Sequence, residues 1–149
     1  MGGVLASKGF TMLLLCAEEF QPPYTVPDYM EAMMRYYHGD VPFPRVKVIY
    51  APNADDFHNP PPRARLEIAL RAARQAADEI RQGGTVLSTC WKGVNRSGLV
   101  SCLTLHLLTQ MGGFQAIQTV KRGRPWALTN PQFVEALTRI RPGQVGPVF

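Results

Sequence analysis

The chain has 149 residues, 46% of them apolar, and carries 16 Lys and Arg against 11 Asp and Glu, for a net charge of +5. That length fits one domain with a full core, no apolar run approaches the roughly 20 residues that span a bilayer, and the basic balance suits anionic partners without choosing among phosphoproteins, nucleic acid and acidic lipid. Three cysteines, Cys16, Cys90 and Cys102, include no C-x2-C pair; this argues against a structural zinc site and for a reducing compartment, the cytoplasm with the nucleus left open.

In chain order, residues 10–15 (FTMLLL) read as a short buried strand, followed by a loop. Residues 26–37 read as a helix with Pro27 in its first turn; Met30, Met33, Met34 and Tyr37 recur at helical spacing, a stripe expected to be core. Residues 46–50 (VKVIY) alternate like a strand, and residues 51–62, rich in Pro, Asn and Asp, read as a loop. The clearest helix spans 63–81, with an apolar stripe from Leu66 to Ile80, a solvated face of Arg63, Arg65, Arg71 and Arg74, and Gly83-Gly84 as its stop. Residues 85–88 form the next strand. A buried helix over 97–111 stops at Gly112-Gly113, shorter helices cover about 114–122 and 130–140, and 141–149 read as a tail. Strands alternating with helices predict an α/β fold, a mainly parallel central sheet flanked by helices, in a single domain over 1–149 with its core at about 10–140.

One stretch carries chemistry. An apolar run enters Cys90, the loop Trp91-Lys92-Gly93-Val94-Asn95 follows, and Arg96-Ser97-Gly98 opens the buried helix. Cys90 thus falls at the carboxyl end of a strand, where open α/β sheets place ligands. Gly93 relaxes the loop, whose N–H groups from Trp91 to Arg96 can turn inward as an anion nest, with the helix dipole adding positive potential there. Arg96 offers a planar fork to two phosphate oxygens. The same surroundings favour the thiolate of Cys90, its nucleophilic form. Ser97 is placed to hydrogen-bond the Cys90 sulfur or to cap the helix.

Displacing an alkoxide from phosphorus needs a proton donor. Asp55 and Asp56 lie on the loop after the second strand, and either can serve as the acid, although aspartates also favour turns. His58 is near that loop, and His106, inside the apolar helix, reads as a packed histidine.

These residues resemble the cysteine-dependent protein tyrosine phosphatase superfamily, and most closely its dual-specificity branch, whose signature is H-C-x2-G-x2-R-S. The chain reads Thr89-Cys90-Trp91-Lys92-Gly93-Val94-Asn95-Arg96-Ser97, and a second segment, Arg124-Pro125 through Asn130 to Phe133, looks like the family's R-P-x4-N-x2-F. The resemblance extends over about 10–140. It implies the tyrosine phosphatase-like fold, with an amino terminus shorter than the family's and an exposed sheet edge. It also implies Cys90 as nucleophile, Arg96 as phosphate clamp, Ser97 as thiolate stabiliser, Asp55 as general acid and Asn130 as a brace. It implies hydrolysis of phosphotyrosine, with phosphoserine and phosphothreonine as further substrates on proteins, through a phosphocysteine and without metal or organic cofactor. Thr89 stands where the family has histidine, and a weaker activity is the expected consequence.

Two alternatives remain. Gly93-Val94-Asn95-Arg96-Ser97-Gly98 resembles the G-x-N-R-T-G of RNA 5′-phosphatases in the same superfamily, so an RNA 5′ end is a secondary candidate partner. The Thr89 departure motivates a catalytically weak phosphate-binding module.

Overall fold

A computed structural model describes residues 9–19, 21–43, 45–92, 94–144 and 146–149. Among the described residues three strands, β1 (Met12–Ala17), β2 (Lys47–Asn53) and β3 (Val86–Thr89), form a parallel sheet in the order β2-β1-β3. Met12 stands opposite Lys47 on one side and Val86 on the other, and Leu15 opposite Tyr50 and Thr89. Among the described residues there are five α-helices, α1 (Pro27–Tyr37), α2 (Arg63–Arg81), α3 (Arg96–Thr109), α4 (Gly113–Gly123) and α5 (Pro131–Thr138), with a short 3-10 turn at Pro23–Thr25 before α1.

β1 is the middle strand and all six of its residues are buried, which is why it reads as an unbroken apolar run rather than an alternating one. Its side chains divide by parity. Met12, Leu14 and Cys16 join the main core with the alanines of α2 and with Leu99, Val100 and Leu103 of α3. Leu13 and Leu15 face a smaller cluster closed by Phe10 and Val26, with Tyr29 packed against it. Ala69, Ala73, Ala76 and Ala77 keep α2 thin enough to lie close to the sheet and α3. Gly83 ends α2 as the spacing predicts: its φ is +89°, and Gly84 N–H returns to the carbonyl of Glu79 at 2.8 Å.

Several expectations need correction. The methionine stripe of α1 is not core: no residue of that helix is buried, Met34 is 54% exposed and Tyr37 76%. The small cluster beneath it is already closed by Val26 and Tyr29, so the rest of the stripe finds no sheet to cover. β2 runs on through Ala51, Pro52 and Asn53 instead of entering a loop after Tyr50; it is an edge strand, where a proline leaves no ladder bond unmade. α3 stops at Thr109 rather than at the glycine pair, with Gln110 in the left-handed conformation at φ +61°. Gly112-Gly113 open α4 instead. The expected tail is partly tied down: Gly143 N–H bonds the carbonyl of Gln110 at 2.8 Å, and Val148 and Phe149 pack against the main core.

Candidate functional site around Cys90

All three strands point the same way, so the segments leaving Ala17, Asn53 and Thr89 meet at one edge of the sheet. There they surround a cavity of about 380 Å³ lined by Glu19, Asp55, Phe57, Cys90, Trp91, Lys92, Val94, Asn95, Arg96 and Thr129. The cavity brings together the sequence-predicted Cys90, Arg96 and Asp55. Of the other loop residues named above, Gly93 lies outside the described residues.

Cys90 follows directly on β3 and is 9% exposed. Its Sγ is 3.5 Å from Ser97 Oγ in the first turn of α3, the thiol donating; with a thiolate the same contact reverses and the hydroxyl donates. Ser97 is itself fixed, since Ser88 Oγ donates to its carbonyl at 3.2 Å. Thr89 Oγ1 donates to the Leu14 carbonyl at 2.9 Å and accepts from Gln21 Nε2 at 3.2 Å. The residue before Cys90 therefore ties the base of the loop to the middle strand. Behind it Cys16 is fully buried, and burial, with the neighbouring Cys90 adding to it against a Ser88 hydrogen bond, pushes its thiol up to about 12.

Arg96, 7% exposed, starts α3. Its Nη1 donates to Glu19 Oε2 at 2.7 Å and to the carbonyl of Asn53 at 3.2 Å. Its Nε is buried and meets no acceptor among the described residues. One end of the guanidinium is thus anchored to the ends of β1 and β2 while the Nε edge of the fork stays uncommitted. A buried donor in that state costs free energy that an oxyanion in the cavity relieves. The Glu19 carboxyl is held below the usual carboxylate range by its own backbone N–H first, then by the Arg96 guanidinium.

The two aspartates have different surroundings. Both Asp55 oxygens accept from amides, Oδ1 from Asn130 Nδ2 at 2.8 Å and Oδ2 from Asn95 Nδ2 at 3.1 Å. The orientation of each amide is set elsewhere: Asn95 Oδ1 accepts the N–H of Asn130, and Asn130 Oδ1 accepts that of Gln132 as the cap of α5. Both NH2 groups therefore face Asp55. Asp56 instead closes a turn, accepting from the N–H groups of His58 at 2.8 Å and Asn59 at 3.2 Å. Those bonds, that of His58 first, hold its carboxyl below the ordinary value. His58 is exposed, and His106 is buried with Nδ1 2.8 Å from the carbonyl of Met111.

Because its side chain is committed to Asp55, Thr129 and Asn130, what Asn95 can offer an anion is its backbone N–H. The segment resembling R-P-x4-N backs the loop: Leu128 N–H bonds the carbonyl of Val94 at 3.0 Å. Sequence reasoning missed Glu19, Gln21 and Asn53. The one signal for them is topological, since each follows or ends a strand parallel to β3 and so arrives at the same edge.

No protein-family model and no curated protein matches the sequence. Solved structures do match. Human DUSP28 superposes with a TM-score of 0.68 at 22% identity, over 93% of this chain and 78% of that one. Tk-PTP in its active form gives 0.66 at 22% identity, over 97% and 88%. The human tyrosine phosphatase-like serine/threonine/tyrosine-interacting protein gives 0.63 at 18%, over 92% and 80%. The chain has the fold of these proteins, a small parallel sheet flanked by helices. Among the described residues no helix is long and apolar enough to cross a membrane.

Proposed function

We propose that, on this dual-specificity phosphatase fold, the chain is a cysteine-dependent phosphatase that hydrolyses phosphotyrosine, with phosphoserine and phosphothreonine as further substrates on proteins. The observation that carries the reading is Arg96, which lines the same cavity as Cys90, is clamped at Nη1 by Glu19 and Asn53, and has a buried Nε that meets no acceptor among the described residues. Cys90 thiolate attacks phosphorus while Arg96 and the loop N–H groups hold the equatorial oxygens. The bond to the leaving oxygen breaks, and Asp55 supplies its proton. Water then attacks the phosphocysteine, Asp55 takes up the water's proton, and the thiolate departs with the Ser97 hydroxyl donating to it. Ester and water go in; alcohol and phosphate come out. Asp55 delivers its proton by releasing one of the two amides that now bond it.

That pair of amide donors also favours a second reading, a phosphate-binding module with feeble turnover, and one experiment separates the two. In a working phosphatase Asp55→Ala lowers kcat on a phosphotyrosine peptide by about a hundredfold or more. It costs much less on para-nitrophenyl phosphate, whose leaving group departs without a proton. Asp56→Ala leaves both rates near wild type. A peptide rate indifferent to Asp55→Ala removes the general acid from the mechanism and favours the module.

A further inference from the structure

The face of α1 that the sheet leaves uncovered has a pattern of its own. Met30, Met34 and Tyr37, four and three residues apart, form one line along the helix, and all three are exposed. The line continues past the helix: the Tyr37 ring lies 5.4 Å from that of Tyr36, and Tyr36 meets Phe43 edge to face at 5.0 Å. Tyr36 and Phe43 are exposed as well. At about 200 Å² for a large side chain, these five leave roughly 500 Å² of largely apolar surface in water, a size at which patches are often functional. It is enough for the apolar centre of a half-interface of standard size, about 800 Å².

The charges beside the line are arranged reciprocally. Glu31 and Arg35 each come one residue after a member of it, so both lie about 100° round the helix on the same flank. The acidic one stands toward the helix N-terminus and the basic one toward the C-terminus. The midpoint of Glu31 and Arg35 is Met33, and that of Met30 and Tyr37 falls between Met33 and Met34. A second copy turned end over end about this point therefore sets Met30 on the partner's Tyr37, Met34 near the partner's Met34, and Glu31 beside the partner's Arg35. The opposed helix dipoles favour the same antiparallel arrangement.

We propose that this face of α1 is a self-complementary interface, at which two copies of the chain pair antiparallel about a two-fold axis. The proposal goes beyond the phosphatase reading and does not depend on it. A lipid surface fits the face less well. From Tyr24 to Phe43 the charged residues are Asp28, Glu31, Arg35 and Asp40, acidic on balance, whereas helices that lie on anionic bilayers carry Lys and Arg beside their apolar side.

Sedimentation equilibrium of the full chain tests this. Wild type should dimerise with a Kd on the order of 10 μM, as suits an interface at the small end of the specific range. Met34→Glu sets like charges against each other at the axis and should raise Kd at least about tenfold. Because Met34 is exposed, the Tm of the dilute protein should not change. Glu31→Arg and Arg35→Glu should each raise Kd about tenfold, since each places two like pairs across the axis, and the double exchange should restore wild-type affinity. A chain that stays monomeric up to about 1 mM overturns the proposal. So does a dimer indifferent to Met34→Glu, or one in which the double exchange pairs no more tightly than the single ones. Flotation with vesicles of neutral and of anionic phospholipid examines the other occupant: a monomeric chain whose vesicle binding is lost in Met34→Glu overturns the proposal in favour of a lipid surface.

Discussion

Arg96→Lys is expected to lower turnover of an aryl phosphate by about a hundred- to a thousandfold and to remove inhibition by vanadate, a phosphate mimic. The guanidinium does two jobs at once in the cavity. Nη1 holds Glu19 and the Asn53 carbonyl, and in the proposed reaction the Nε edge, which meets no acceptor among the described residues, holds the oxyanion. A lysine ammonium is a single point on a flexible stem and cannot span both. If it pairs with Glu19 it leaves the anion, and if it turns to the anion it leaves Glu19 without its cation. Thermal melts distinguish lost chemistry from lost structure. A folded lysine variant that still binds vanadate with wild-type affinity contradicts the clamp.

The largest effect on stability is expected at Gly113, far from the cavity. A Cβ built there overlaps the backbone carbonyl of Leu137 in α5, and the Gly113 N–H is already used by the carbonyl of Ile140 at 3.0 Å. Backbone cannot rotate away as a side-chain tip does, so Gly113→Ala must push α4 and α5 apart. A cost of about 3 kcal/mol, at the upper end of overpacking penalties, lowers Tm by roughly 10 °C for a chain of this size. Gly123→Ala, at the other end of the same helix, meets nothing within 4 Å and should raise Tm slightly through helix propensity. Equal melting temperatures for the two variants contradict the close approach.

The same glycine shows where sequence reasoning ends. Gly112-Gly113 read as a helix stop because glycine favours C-caps; the need for glycine comes from Leu137, which the local pattern does not contain. The Met30, Met34 and Tyr37 stripe fails for a related reason: periodicity shows that a helix has an apolar face, not that anything covers it. What was legible is local. The apolar runs on either side of the Cys90–Arg96 loop, the alanine stripe of α2 and its Gly83 stop all follow from neighbours in the chain, and the parallel α/β architecture follows from their alternation. Glu19 was not legible because its partner Arg96 is 77 residues away. The bonds from Asn95 and Asn130 to Asp55 span 40 and 75 residues, so the environment that distinguishes Asp55 from Asp56 exists only in the folded chain.

Hydrolysis of para-nitrophenyl phosphate at mildly acidic pH, without added metal, tests the central claim most directly, with Cys90→Ser measured alongside. Turnover by the wild type and none by the variant is the expected result. The variant should keep its phosphate affinity, because Arg96 and the loop N–H groups remain. Equal turnover by both proteins, or none by a folded wild type, contradicts a cysteine phosphatase.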